Sequence, residues 1–312
     1  MLTVIGEALI DEVLRPGAEP EPHVGGSPMN VAVGLARLGH PVQFLGRYGR
    51  DEYGSLVAAH LHGNSVLLPL GADQWPTSVA RARIDGTGAA SYEFELTWQL
   101  PEIPAEQLQG STLLHTGSIA AMLEPGADAV HRAVLAARGH ATISYDPNCR
   151  PSIITDLAHA RTQAEAFVRL ADVVKASDED LAWLYPELDP LDAARAWLGS
   201  ASGSWSNGPS LVVVTRGGAG PWAAVAAGET AVAAPEVRVA DTVGAGDSFM
   251  AALLSALVDR ELDGGQRRDQ LRRLSVELLG EILEYSARAA AITVSRAGAN
   301  PPSKAELSND GR

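Results

Sequence analysis

The sequence predicts an α/β protein: a mostly parallel sheet flanked by helices on both faces, with a small β-sheet lid beside it. Three observations carry that expectation. Short β-rich runs alternate with helical patterns through most of the 312 residues, as in βα units whose sheet is buried on both sides. Two segments, 11–24 and 77–97, break the rhythm with no helix inside them. The composition, 46% apolar and 20% charged, is that of an ordinary globular protein with enough apolar residues for a large core.

In chain order, LTVIGEALID reads as a strand, and 11–24 as an extended stretch rich in Pro and Glu. NVAVGLARLG (30–39) reads as a helix opened by Asn30 and closed by Gly39. PVQFLGRYG returns as a strand and EYGSLVAAHLHGN as a helix. TSVARARIDGTGAASYEFELT (77–97) alternates about a Gly-rich turn at 86–88, a hairpin signal. TLLHTGSIA, ATISYDPN, DVVKAS and LVVVTRGGAG are further strands, with helices in DAVHRAVLAARG and around 156–170. GSASGSWSNGPS (199–210) reads as a surface loop and AELSNDGR (305–312) as a loose tail. The expected division is therefore a body of 1–10, 25–76 and 98–304, an antiparallel lid of 11–24 and 77–97, and a tail of 305–312. Ligands of such sheets bind beyond the carboxyl ends of the strands, which puts DPNCR, ASDED and TRGGAG on one rim.

With 24 Lys plus Arg against 38 Asp plus Glu, the formal charge is −14. That argues against nucleic acid or an anionic membrane as partner, since both need a basic footprint. The single cysteine, Cys149, cannot form an internal disulfide, and no Cys/His spacing suggests zinc. His60 and His62 lie two apart in a helix, on different faces, and read as surface residues. MLTVIGEALIDEVLR is interrupted by Glu7 and Asp11 and reads as a core strand, not a signal peptide. No run approaches the ~20 apolar residues of a membrane span, so a cytoplasmic location is expected.

Two stretches carry chemistry. In DTVGAGDSFMAALLSAL (241–257) a helix opens on Gly244, Ala245 and Gly246, with Asp247 in its first turn. The plain reading is a tight turn capped by an acid. The sharper one is an anion held by backbone N–H groups with a base beside it. In GGSPMNVAVGLARLG (25–39), Gly25 and Gly26 let backbone approach a ligand, although taken alone the stretch reads first as a glycine turn and a helix start with an Asn cap. Neither the P-loop nor the dinucleotide-binding pattern is present.

Together and in this order, GGSPMNVAVGLARLG and DTVGAGDSFMAALL resemble the two signatures of the PfkB, or ribokinase-like, carbohydrate kinases. The resemblance continues through GEALID, GRYGRDEYG, LLHTGS, SYDPNCRPS, VVKASDEDL and VVTRGGAG, covering residues 1 to 303. In motif character it is nearest the bacterial fructokinase branch.

The resemblance implies a ribokinase-like fold and a kinase using ATP, with Mg²⁺ and K⁺, on a small neutral sugar, most readily fructose. Asp11, Gly25, Gly26, Asn30 and Arg150 match the sugar-binding positions. Asp11 as a turn-forming acid and Arg150 as a rim salt bridge remain alternatives. Asp247 matches the catalytic base, and the backbone of Gly244, Ala245, Gly246 and Asp247 the anion hole. Thr215, Gly217, Gly220, Gly246 and Asn300 match the nucleotide side, with the Ala-rich 286–300 stretch bordering adenine. Asp180, one methylene shorter than the family's usual Glu, is expected to reach Mg²⁺ through water. Asp241 and Val243, with Thr293, Arg296 and Gly298, match a monovalent-cation loop. Lid edge strands suggest a homodimer. Other sugar kinases of the family (for ribose, 2-keto-3-deoxygluconate or an inositol-type polyol) and a non-catalytic sugar- or nucleotide-binding relative stand as alternatives.

Overall fold

The computed structural model describes residues 1–14, 19–84, 90–198 and 208–309. The first part of the chain forms β1 (Leu2–Ile5), β2 (Leu9–Leu14), β3 (Glu21–Gly25), α1 (Ser27–Arg37), β4 (Val42–Leu45), α2 (Glu52–Gly63), β5 (Ser78–Ile84) and β6 (Ala90–Glu95). Then come α3 (Ala105–Leu108), β7 (Leu113–Gly117), α4 (Gly126–Ala137), β8 (Thr142–Asp146), α5 (Leu157–Val168), β9 (Val173–Ser177), α6 (Asp178–Leu184) and α7 (Pro190–Trp197). The last part holds β10 (Leu211–Thr215), β11 (Trp222–Val225), β12 (Gly228–Ala231), α8 (Ala245–Val258), α9 (Arg268–Arg272), α10 (Val276–Val294) and α11 (Lys304–Asn309).

Among the described residues the large sheet has the order β12-β11-β10-β9-β8-β7-β1-β4, parallel from β10 to β4 and antiparallel at β11 and β12. Its strands are apolar runs because both faces are covered. Neighbouring residues on one strand enter different cores. Val174 belongs to the core that also holds Val130, Phe167 and Trp197 of α4, α5 and α7, and Val173 to the one that holds Val31, Leu253 and Ile282 of α1, α8 and α10. Asp146, Ser177 and Thr215 end three adjacent strands, so DPNCR, ASDED and TRGGAG share one rim as expected. Among the described residues no helix is long and apolar enough to cross a membrane.

The small sheet has the order β3-β2-β5-β6. Three features depart from the sequence reading. LTVIGEALID is not one strand: the chain leaves the large sheet after Ile5 and enters the small one at Leu9, where β2 pairs with β3 and β5. The small sheet is mixed, not antiparallel, because β2 and β5 run parallel. The chain between them crosses the body through α1, β4 and α2, long enough to return in the same direction. Residues 304–309 are helical rather than a loose tail; Leu307 packs on Leu38, Ala252 and Ala289, and Glu306 pairs with Arg296. The expected turn at 86–88, residues 199–207 of the expected loop and residues 310–312 of the tail lie outside the described residues.

A buried guanidinium fixes where the small sheet leaves the body. Arg47, 3% exposed, donates through Nε and Nη2 to the two oxygens of Asp73, at 2.9 and 2.8 Å. Its remaining donors reach the carbonyls of Pro76, Thr97 and Trp75. These residues flank the start of β5 and the end of β6. Glu12 of β2 adds a second tie, accepting from Tyr53 of α2 and, at 2.6 Å, from Arg81 of β5. Replacing Arg47 by Met takes the donor from Asp73 Oδ2 and from three carbonyls, and should cost about 3–5 kcal/mol in denaturant unfolding. Arg47→Lys should recover less than half of that, since one ammonium cannot match five planar donors.

Candidate active site

The first turns of α1 and α8 meet at the rim of the large sheet. Helix α1 begins at Ser27, with Gly26 at the N-cap and Pro28 in the first turn, a placement proline favours because its missing N–H is not needed there. Asn30 is therefore inside the first turn rather than the cap expected from sequence. Its side chain is three residues from Ser27, on the same helical face. Ser27 Oγ donates to Asp247 Oδ1 at 2.6 Å, and Asn30 Nδ2 to Asp247 Oδ2 at 2.8 Å. Asp247 is 8% exposed. Burial pushes its carboxyl above the ordinary aspartate range, while Ser27, Asn30, Lys175 and Arg150, in that order, pull it back.

Gly244 caps α8 in the left-handed region, φ 74°, and a Cβ there would lie 2.6 Å from that of Ala299. Its small size thus has a local steric cause. Ala245 N–H turns back to the Thr242 carbonyl at 3.3 Å. The N–H groups of Gly246 and Asp247 belong to a first helical turn, which has no intrahelical acceptors for them. Of the expected anion-site donors, the Ala245 N–H is engaged within the turn, while those of Gly246 and Asp247 have the helix dipole behind them.

Asp247, Asn30 and Gly26 line a cavity of about 370 Å³ with Asp11, Arg150 and Glu7. Ala80 of β5 and Phe94 of β6 border it from the small sheet. Gly25 lies beside Asp11, and any Cβ on it would sit 2.2 Å from Asp11 Oδ2. Arg150 Nη1 donates to Asn148 Oδ1 at 2.7 Å and to the Asn148 and Cys149 carbonyls. Its charge acts on Glu7, Asp11 and Asp247 together.

A second cleft, of about 530 Å³, lies on the other side of the α8 N-terminus. Thr215 and Gly217 line it, with Val237 and Val239 and, from α10, Ala287, Ala290, Ala291 and Val294. Thr242, Ala245 and Gly246 border both spaces. Asp241 joins two turns beside this shared wall, accepting from Val243 N at 3.0 Å and Gly298 N at 2.8 Å. The Thr293 carbonyl accepts from Arg296 N, and the Thr293 hydroxyl donates to Ser248 of α8.

Three expected residues stand elsewhere. Asn300 does not line the nucleotide-side cleft; its Oδ1 accepts from Arg37 Nη1 at 2.5 Å, at the far end of α1. Gly220 is also behind the lining, held by the turn in which its carbonyl accepts from Arg216 Nε. Asp180 is the N3 residue of a capping box: Oδ2 accepts from Ser177 N and Oγ, and Oδ1 from Cys149 N at 2.7 Å. Its carboxylate is largely committed to holding α6 and the DPNCR loop.

Sequence reasoning missed Ser27, Glu7 and Lys175. Ser27 showed only as a small residue in GGSPMN. Glu7 gave a usable signal, an acid inside an apolar strand pattern. Lys175 is buried with its Nζ 2.9 Å from Asp146 Oδ2, and a Cβ on Gly246 would lie 3.5 Å from that nitrogen.

Glu7 also makes a measurable prediction. Its side chain accepts from Ala120 N at 3.2 Å, and burial raises its pKa from 4.5 to about 7 despite Ser118 and Arg150. Between those values the folded chain holds a proton that the unfolded chain has lost, so stability falls as pH rises through the window. Above it the penalty is complete, about 3 kcal/mol. Glu7→Gln should therefore unfold at higher denaturant than the parent at pH 8.5, with the gain fading towards pH 5.

Comparison with known proteins gives the same picture. Residues 1–306 match the pfkB family of carbohydrate kinases. The chain is 30% identical to fructokinase-2 of Solanum lycopersicum, covering 96% of this chain and 92% of the relative. It is 33% identical to the fructokinase of Salmonella typhimurium, covering 81% and 83%. In fold it resembles the fructokinase of Xylella fastidiosa with bound ATP, with a TM-score of 0.85 at 24% identity over 99% and 98% of the two chains. It also resembles the fructokinase of Vibrio cholerae O395 in its fructose, ADP and calcium ion bound form, with a TM-score of 0.78 at 24% identity over 99% and 97%. The large mixed sheet, the second small sheet, the rim cavities and the family match agree: the chain belongs to the pfkB family of carbohydrate kinases.

Proposed function

We propose that the protein transfers the γ-phosphoryl group of ATP to a hydroxyl of a small neutral sugar, with fructose the preferred acceptor. One observation carries this reading: two cavities share a wall of Thr242, Ala245 and Gly246, and the buried carboxylate of Asp247 faces the smaller one. ATP in the larger cleft would lay its adenine against the alanines of α10 and its terminal phosphate on the α8 N-terminus. A sugar in the smaller cavity would meet Asp11, Asn30 and Arg150. Phosphoryl transfer asks for alignment and charge neutralisation more than covalent help. Asp247 accepts the proton of the attacking hydroxyl, and the N–H groups of Gly246 and Asp247 hold the charge that develops on the phosphoryl oxygens. The small sheet acts as a lid, and its closure excludes water.

Mg²⁺ would arrive with the nucleotide, neutralising its phosphates and keeping mostly water ligands. Asp180 would meet it only through water, given its hydrogen bonds. A monovalent cation would sit against the carbonyls of the turns that Asp241 joins. The preference for a neutral sugar is supported by the lining of the cavity, where, among the described residues, Arg150 is the one cationic side chain beside three acidic ones, Glu7, Asp11 and Asp247. A sugar acid would add a fourth. The fructokinases among the relatives support fructose itself.

The test is ADP release with Mg²⁺, K⁺ and ATP against fructose, ribose, 2-keto-3-deoxygluconate and myo-inositol. Fructose should give the highest kcat/KM, and Asp247→Asn should lower kcat by at least ~10²-fold. ATP bound without turnover on any of the four sugars, by a folded protein, would point to a binding protein in a kinase's fold.

A further inference from the structure

The carboxylate of Asp247 is held on both oxygens by one helical turn, and the two holders differ in kind. Asn30 lines the cavity with an amide whose oxygen is free to accept from a sugar hydroxyl while its nitrogen serves Asp247. Ser27 has one proton to donate, and it is committed to Asp247 Oδ1 over 2.6 Å between two buried residues. The contact joins residues 220 positions apart, from the first turn of α1 to the first turn of α8. Pro28 and the Gly26 cap fix where α1 begins, so the Ser27 hydroxyl is aimed by the helix start itself.

We infer that Ser27 is a positioning residue for phosphoryl transfer, fixing the direction of the Asp247 carboxylate and favouring its ionised form through the Oγ–Oδ1 hydrogen bond. This inference rests on the reading of Asp247 as the base. An ionised carboxylate can only accept, so a donor fixed on Oδ1 stabilises the charged form. Burial works the other way, and of the groups that oppose burial Ser27 is the strongest. The charged groups that act on Asp247 lie on other elements: Lys175 of β9, its partner Asp146 of β8, and Arg150 beyond β8. Glu7 and Asp11 share the cavity. Removing Ser27 leaves that background intact and removes one donor. The carboxyl then protonates at higher pH, and its orientation is held on one oxygen instead of two.

The experiment compares the parent with Ser27→Ala and Ser27→Thr. The Asp247 carboxyl is titrated by ¹³C NMR, its signal assigned by its loss in Asp247→Asn, and kcat and KM are followed against pH with the best acceptor sugar. The expected result for Ser27→Ala is an Asp247 transition about one pH unit higher. The acidic limb of kcat/KM should move with it, and kcat at pH 7 should fall by ~10-fold. Ser27→Thr, which keeps the hydroxyl, should restore both. A lower Tm or a higher sugar KM with the Asp247 transition unmoved would overturn the inference, as would a threonine variant that behaves like alanine. The titration needs no turnover: if no sugar is phosphorylated the proposed function fails, while the NMR shift still decides the role of Ser27.

Discussion

The site depends on one buried carboxylate shared between two helix starts. Asp247 is in the first turn of α8, where the backbone presents N–H groups, and it is gripped from the first turn of α1 by Ser27 and Asn30. An isolated carboxylate could not stay ionised at this depth, because burial penalises the charge. Its two side-chain donors and the nearby cations Lys175 and Arg150 oppose that penalty. The packing of α1 on α8, with Ala251 within 2.6 Å of where a Cβ on Gly34 would be, keeps the two helix starts in register. Gly34 in α1 thus serves the site from two turns away, by letting the helices approach.

A second constraint is charge balance beneath the rim. Lys175 is buried between Asp146, Asp180 and Asp247; burial pulls its pKa down, and these acids more than offset that pull. The ammonium stays charged close to Gly246, 3.5 Å from where a Cβ on that residue would lie. Asp180 has a related structural part, tying the start of α6 to Cys149 and so fixing the loop that carries Arg150. The residues around the cavity are therefore positioned by a connected set of charges and caps rather than one at a time.

Most of the body was legible because its signals are local. Apolar runs of strand length, Gly39 after a helical pattern and the bare start of GAGD each encode their own conformation. Asp11, Asn30, Arg150 and Asp247 were singled out through the two motifs and the segments linking them, and the structure gathers them around one cavity. What failed was non-local. The parallel pairing of β2 with β5 depends on a crossover through the body, which no window of sequence shows. The break in LTVIGEALID reflects a change of sheet, not a change of residue type. Asn300 was placed by position in a motif, but the guanidinium of Arg37 claims its side chain. Ser27 could not have been read as a partner of Asp247, since nothing local links two residues that far apart in sequence.

The most direct test is a crystal structure of the protein with fructose and a non-hydrolysable ATP analogue. The account predicts a primary hydroxyl of the sugar about 3 Å from the Asp247 carboxylate, with the terminal phosphate on the N–H groups of Gly246 and Asp247. A sugar bound with every hydroxyl out of reach of Asp247, or a nucleotide whose phosphates lie away from the start of α8, would contradict it.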